Sequence, residues 1–99
     1  MTEKQWQEEV RKLAKAAGYL CYHQYSSMKS PAGFPDLVLA KAGLGEQGGR
    51  LLLCELKTET GKLTQAQQNW GRVLSTITRV DYHVWRPAEL AEIIYTLST

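Results

Sequence analysis

At 99 residues, with 43% hydrophobic and 22% charged side chains, the chain suits one soluble domain with one modest core and leaves no room for two. A formal net charge of +2 is compatible with a polyanionic partner without demanding one. No apolar run approaches the ~18 residues that a membrane-spanning helix requires, and the polar opening Met1-Thr2-Glu3-Lys4 does not read as a signal peptide. Cys21 and Cys54 lie far apart and form no CxxC, so two buried free thiols in a reducing cytoplasm are expected.

Trp6, Val10, Leu13, Ala14 and Ala17 recur at helical spacing, which predicts an amphipathic helix over 3–17, stopped by Gly18. Tyr19 to Tyr25 is aromatic and strand-like. The stretch 26–35, with Lys29, Pro31, Gly33 and Pro35, is a turn-rich loop. A second strand is predicted over 36–40 and a third over 50–57, joined as a hairpin by the small residues of 43–49. A second helix is expected over 64–77 and a last strand over 81–85. Pro87 then opens a short terminal helix through Leu97, at the position where a missing N–H does no harm. The order α-β-β-β-α-β-α describes a small α/β fold without internal repeats or linkers.

Gly43-Leu44-Gly45-Glu46-Gln47-Gly48 matches GxGxxG and follows a strand. A dinucleotide site needs a helix directly afterwards, whose N-terminus meets the pyrophosphate. Here Arg50 leads into another apolar strand, so no nucleotide cofactor is expected.

The third strand raises a sharper question. Alternation puts Cys54 and Leu56 on one face, while Glu55 and Lys57 share the other. If the second and third strands form a hairpin, Asp36 at the start of one lies beside Glu55 near the end of the other. Two adjacent carboxylates repel, and a hard divalent cation, Mg²⁺ or Mn²⁺, offsets them. Lys57 would then reach a phosphate or water at that cation, which is the layout of metal-assisted phosphodiester hydrolysis. The plain alternative is a solvated Glu55–Lys57 pair on a half-exposed strand.

Three stretches resemble one family: Gly33-Phe34-Pro35-Asp36-Leu37-Val38-Leu39, Leu53-Cys54-Glu55-Leu56-Lys57-Thr58, and Lys62-Leu63-Thr64-Gln65-Ala66-Gln67-Gln68-Asn69-Trp70. Their order is similar to that of the VRR-NUC (virus-type replication-repair nuclease) branch of the PD-(D/E)xK nucleases, and the resemblance runs from about Glu3 to Trp85. It implies a small restriction-endonuclease-like fold with a mixed central sheet of about four strands. It also implies an Mg²⁺-dependent endonuclease, with Mn²⁺ able to substitute, acting on DNA and on branched forms such as four-way junctions. A chain of this size cannot build a large binding surface, and a homodimer with two sites would supply one.

Carried over residue by residue, the resemblance makes Asp36 and Glu55 metal ligands, with Leu56 between the motif residues in the ligand set, and Lys57 the catalytic lysine. Gln67 matches an active-site glutamine, although Thr64-x-x-Gln67 is equally a capping box, two roles that compete for one side chain. Glu3, followed by Trp6 and Gln7, matches an accessory glutamate and continues the inward stripe of the first helix. Its alternative is a first-turn acid favoured by the helix dipole, with Thr2 as N-cap and Gln5 completing a capping box. One departure is Thr78-Arg79-Val80, where the family often carries glycine before the last strand.

Other residues read as structural. His23 and His83 are expected to be satisfied strand histidines, and Trp70 and Trp85 core. Lys29, Lys62, Arg72, Arg79 and Arg86 could track a nucleic-acid backbone or be solvated surface. Two rival functions remain: a DNA-binding module that kept the fold and lost catalysis, and an interaction domain that binds neither metal nor nucleic acid.

Overall fold

The computed structural model describes residues 1–24 and 31–99. The predicted end of the first strand at Tyr25, and residues 26–30 of the loop with Lys29, lie outside them. The order of elements is α1 (Glu3–Ala16), β1 (Leu20–His23), β2 (Leu37–Lys41), β3 (Arg50–Leu56), α2 (Gln65–Leu74), β4 (Asp81–Trp85) and α3 (Leu90–Ser98). A single 3-10 turn, Gly45–Gln47, lies in the β2–β3 connection where the GxGxxG match falls, and another, Pro87–Glu89, leads into α3.

Thr2 caps α1 through a capping box with Gln5. Its far end closes as a Schellman motif: Tyr19 N–H donates to the Ala14 carbonyl and Gly18 N–H to that of Lys15, both at 3.0 Å. The motif needs a left-handed residue, and Gly18 supplies it with φ of 93°. Tyr19 is therefore a buried cap and not the first residue of the strand.

The sheet order is β1-β2-β3-β4, with the first two pairings antiparallel and β3–β4 parallel through the α2 crossover. One face carries Leu37, Leu39, Leu52, Cys54, Leu56 and Trp85, which bury Trp6, Val10 and Ala14 of α1 with Ile93 and Leu97 of α3. Trp6 Nε1–H also donates to the Trp85 carbonyl at 3.0 Å. That bond sets the first turn of α1 at the C-terminal end of the parallel strands. On the opposite face α2 packs over β3 and β4, close enough that a Cβ on Gly71 would fall 2.7 Å from the Tyr82 hydroxyl. Beyond the reach of α2, Leu20 and Tyr22 of β1 stand exposed on that second face.

Several boundaries differ from the sequence expectation. The second helix ends at Leu74 and not at 77, because hydroxyls at its end bond back to the chain: Ser75 Oγ donates to the Gly71 carbonyl and Thr76 Oγ1 to that of Val73, each at 2.6 Å. Pro87 opens a 3-10 turn, and the terminal α-helix starts at Leu90. Trp85 is core, but Trp70 is only half-buried, its ring edge-to-face with Phe34 at 5.1 Å. Cys54 is a buried free thiol, whereas the free Cys21 is only partly covered.

Candidate active site

The β2–β3 register pairs Leu37 with Cys54, and one step further sets Asp36 opposite Glu55. Asp36 sits just before β2, and its Oδ2 accepts a hydrogen bond from the Leu56 backbone N–H at 2.9 Å. The turn that delivers it packs hard against α2. Gly33 has φ of 98°, and a Cβ there would lie 2.5 Å from the Ala66 backbone carbonyl carbon. Only glycine fits that approach and that angle. Phe34 adds its contact with Trp70, and Pro35 is buried.

Glu55 is 1% exposed and Lys57 is 9% exposed. The solvated-pair alternative is thereby excluded: this face of β3 lies under α2. Glu55 Oε1 accepts from Gln67 Nε2 at 3.0 Å, while Oε2 is buried without a hydrogen-bond partner. Gln67 does more than either sequence reading allowed. Its Oε1 accepts from the Thr64 N–H at 2.8 Å, completing the capping box, and its other amide end holds Glu55. The two roles use different atoms and do not compete.

Glu3 joins from α1. One carboxylate oxygen from each of Glu3, Asp36 and Glu55 lies within 4.8 Å of the others. Glu3 is exposed and reaches the group from its rim, a correction to the inward-facing position its helical stripe suggested. It keeps its place as first-turn acid of α1 as well. Burial, and then the neighbouring Asp36 charge, pushes the Glu55 carboxyl up to about 9; Lys57 opposes the rise and Glu3 adds to it. A carboxyl so placed is poorly stabilised as an anion by protein groups alone.

The arrangement suits a hard divalent cation. It offers three carboxylates converging from separate elements, one buried oxygen with no partner, and Leu56, which can contribute only its backbone carbonyl. After Lys57 the chain is pinned from below: Arg86 Nη1–H donates to the carbonyls of Thr58 and Gly61 at 2.6 and 2.7 Å. Arg86 is thus committed to the fold and not offered to a backbone. Lys62, Arg72 and Arg79 are exposed.

His83 departs from the satisfied histidine expected. It stacks on Trp85 at 5.0 Å, but its Nε2 is buried without a hydrogen-bond partner, and burial lowers its pKa. The roles of Trp70 and Phe34 beside the site were not legible as such. The signal was the Phe34-Pro35-Asp36 run, which ties an aromatic to a ligand candidate.

No protein-family profile matches the chain, and no curated protein matches it in sequence. Solved structures do match in shape. One, named "VRR_NUC domain", superposes with a TM-score of 0.70 at 20% identity, covering 94% of this chain and 94% of its own. Another, "VRR_NUC domain protein", gives 0.70 at 21% identity over 98% of this chain and 88% of its own. At such identities the likeness is one of fold, and it agrees with the element order and mixed sheet expected from the sequence. The chain has the fold of the VRR-NUC domain.

Proposed function

We propose that residues 1–99 form one metal-dependent nuclease domain that hydrolyses phosphodiester bonds in DNA. The observation that carries this reading is the convergence of Glu3, Asp36 and Glu55, the last of which also holds a buried, unpartnered carboxylate oxygen. Asp36 and Glu55 would hold Mg²⁺ or Mn²⁺, with Glu3 at the rim and the Leu56 carbonyl as a further donor. Such a cation, when bound, polarises a phosphoryl oxygen and lowers the pKa of a ligated water.

The remaining work belongs to the chain. Gln67 fixes the Glu55 carboxylate by donating to one oxygen, which leaves the other without a protein partner. Asp36 is oriented by the Leu56 N–H, which donates to its Oδ2. Lys57 carries a positive charge on the same face as Glu55 and is placed to meet a phosphate oxygen or the attacking water as negative charge develops. The intact Asp36, Glu55 and Lys57 set speaks against a domain that kept the fold and lost catalysis.

Branched DNA such as a four-way junction is the substrate this reading favours. Two cuts then require two sites, which a homodimer of so small a chain supplies. A reducing cytoplasm suits the free Cys21 and Cys54.

The test is strand cleavage of end-labelled DNA in Mg²⁺ by the protein and by Glu55→Gln. The amide keeps shape and removes charge. Cleavage is expected to fall by orders of magnitude while the variant still unfolds in one cooperative transition. A variant that cleaves like the parent removes Glu55 from the site.

A further inference from the structure

The α2 helix that supplies Gln67 also forms a cleft that is apolar and aromatic, unlike the acidic group. Trp70 lies one helical turn beyond Gln67, and with Asn69 and Val73 it lines an open cleft of about 270 Å³. Val73 is 59% exposed and the indole is half-buried. The ring is braced edge-to-face by Phe34, two residues before Asp36, and the Gly33 turn beneath it is packed onto Ala66. The cleft is therefore tied to the same rigid turn that positions Asp36. Asn69 Oδ1 accepts from Gln65 Nε2 at 2.9 Å, which orients its NH₂ donors away from that bond.

Resting on the nuclease reading above, we propose that the Trp70 cleft is a stacking subsite for an unpaired nucleobase of the strand being cut. A half-buried indole of fixed orientation, with its free part on an open cleft, is a stacking platform that any base can use, and the Asn69 NH₂ can meet an acceptor on the base edge. The exposed Arg72, next to Val73 in the chain, supplies charge for the adjoining phosphate. A base inside an intact duplex has both faces stacked and cannot enter. The site therefore takes strands with at least one unstacked nucleotide beside the scissile phosphate: single strands, flaps and junction branch points.

The test measures binding in Ca²⁺, without cleavage, at fixed salt. The probes are a short oligothymidylate, an abasic strand of equal length and a blunt duplex. The parent is expected to bind the thymidylate roughly 5- to 150-fold more tightly than the abasic strand, the range for one to a few kcal/mol of stacking. Trp70→Ala should erase that ratio and Trp70→Phe should keep most of it. Because Trp6 and Trp85 are buried at 1% and 4% exposure, quenching of indole fluorescence by the thymidylate should report Trp70 and vanish in Trp70→Phe. Equal affinity for thymidylate and abasic strands in the parent overturns the subsite and leaves the nuclease reading standing. Failure to bind any of the three probes overturns the subsite, while the nuclease reading falls only if no DNA, branched DNA included, is bound or cut. A Trp70→Ala protein that changes its sedimentation while keeping its base preference makes the cleft a protein contact and overturns the subsite.

Discussion

Lys57 is nearly buried beside Glu55, yet among the described residues the ion pairs are Arg11–Glu8 and Arg50–Asp81, and Lys57 is in neither. Its charge acts on the Glu55 carboxyl without being tied up in an ion pair, so it is placed to meet a group that the site would bring. Lys57→Met, which keeps the buried stem, is expected to fold and to bind DNA in Ca²⁺ nearly as well as the parent. Single-turnover cleavage in Mg²⁺ should drop by at least two orders of magnitude, because the lost contact belongs mainly to the transition state. Cleavage at the parent rate would make the lysine structural. Gln67 separates two effects in the same way. Thr64→Ala removes the cap and should cost on the order of 1 kcal/mol of stability, with cleavage little changed. Gln67→Ala should cost a similar amount and also slow cleavage, since it frees Glu55; equal activity of the two variants would reduce Gln67 to a cap.

At the scale of elements, the site exists because three separate pieces are held in register. The β2–β3 hairpin aligns Asp36 with Glu55, α2 lays Gln67 over them, and the Trp6–Trp85 bond anchors the first turn of α1 that brings Glu3. The joint between the Asp36 turn and α2 is Gly33 against Ala66. Gly33→Ala is expected to lose about 2–4 kcal/mol, through a positive φ and an overlap with backbone that cannot yield. The check is chemical denaturation, and a loss below about 0.5 kcal/mol, the ordinary surface scale, would mean that the turn is not the joint described. Much of this was legible in the sequence. Strand alternation alone put Glu55 and Lys57 on one face, and hairpin geometry put Asp36 beside them. What alternation cannot tell is which face another element will cover, so the burial of Glu55 and Lys57 required α2 in place. The double use of Gln67 was hidden because a capping box and a site contact leave the same sequence signature. The exposure of Glu3 was hidden because the stripe reaches the core only from Trp6 onward, and the residue at the very start of the helix lies beyond it.

For the whole molecule, the raised Glu55 pKa links charge to stability. Its carboxyl moves from an ordinary 4.5 to about 9 in the metal-free protein, so between those values the native state holds more protons than the unfolded chain. The stabilising contribution is therefore complete below about 4.5 and is lost as pH rises through about 9. Melting temperature in EDTA should fall across that window, and Glu55→Gln should flatten the slope. A slope unchanged in the variant would assign the effect to other groups. Millimolar Mg²⁺ should raise the melting temperature most at the alkaline end, where the unprotonated carboxylates repel. The central claim is that Glu3, Asp36 and Glu55 form a divalent-cation site, and calorimetric titration of the DNA-free protein with Mn²⁺ at neutral pH tests it most directly. Run in two buffers of different ionisation enthalpy, it should show saturable binding with a proton released as Glu55 ionises, and Asp36→Asn with Glu55→Gln should abolish both. Absence of binding, or binding that survives the double substitution, would contradict the account.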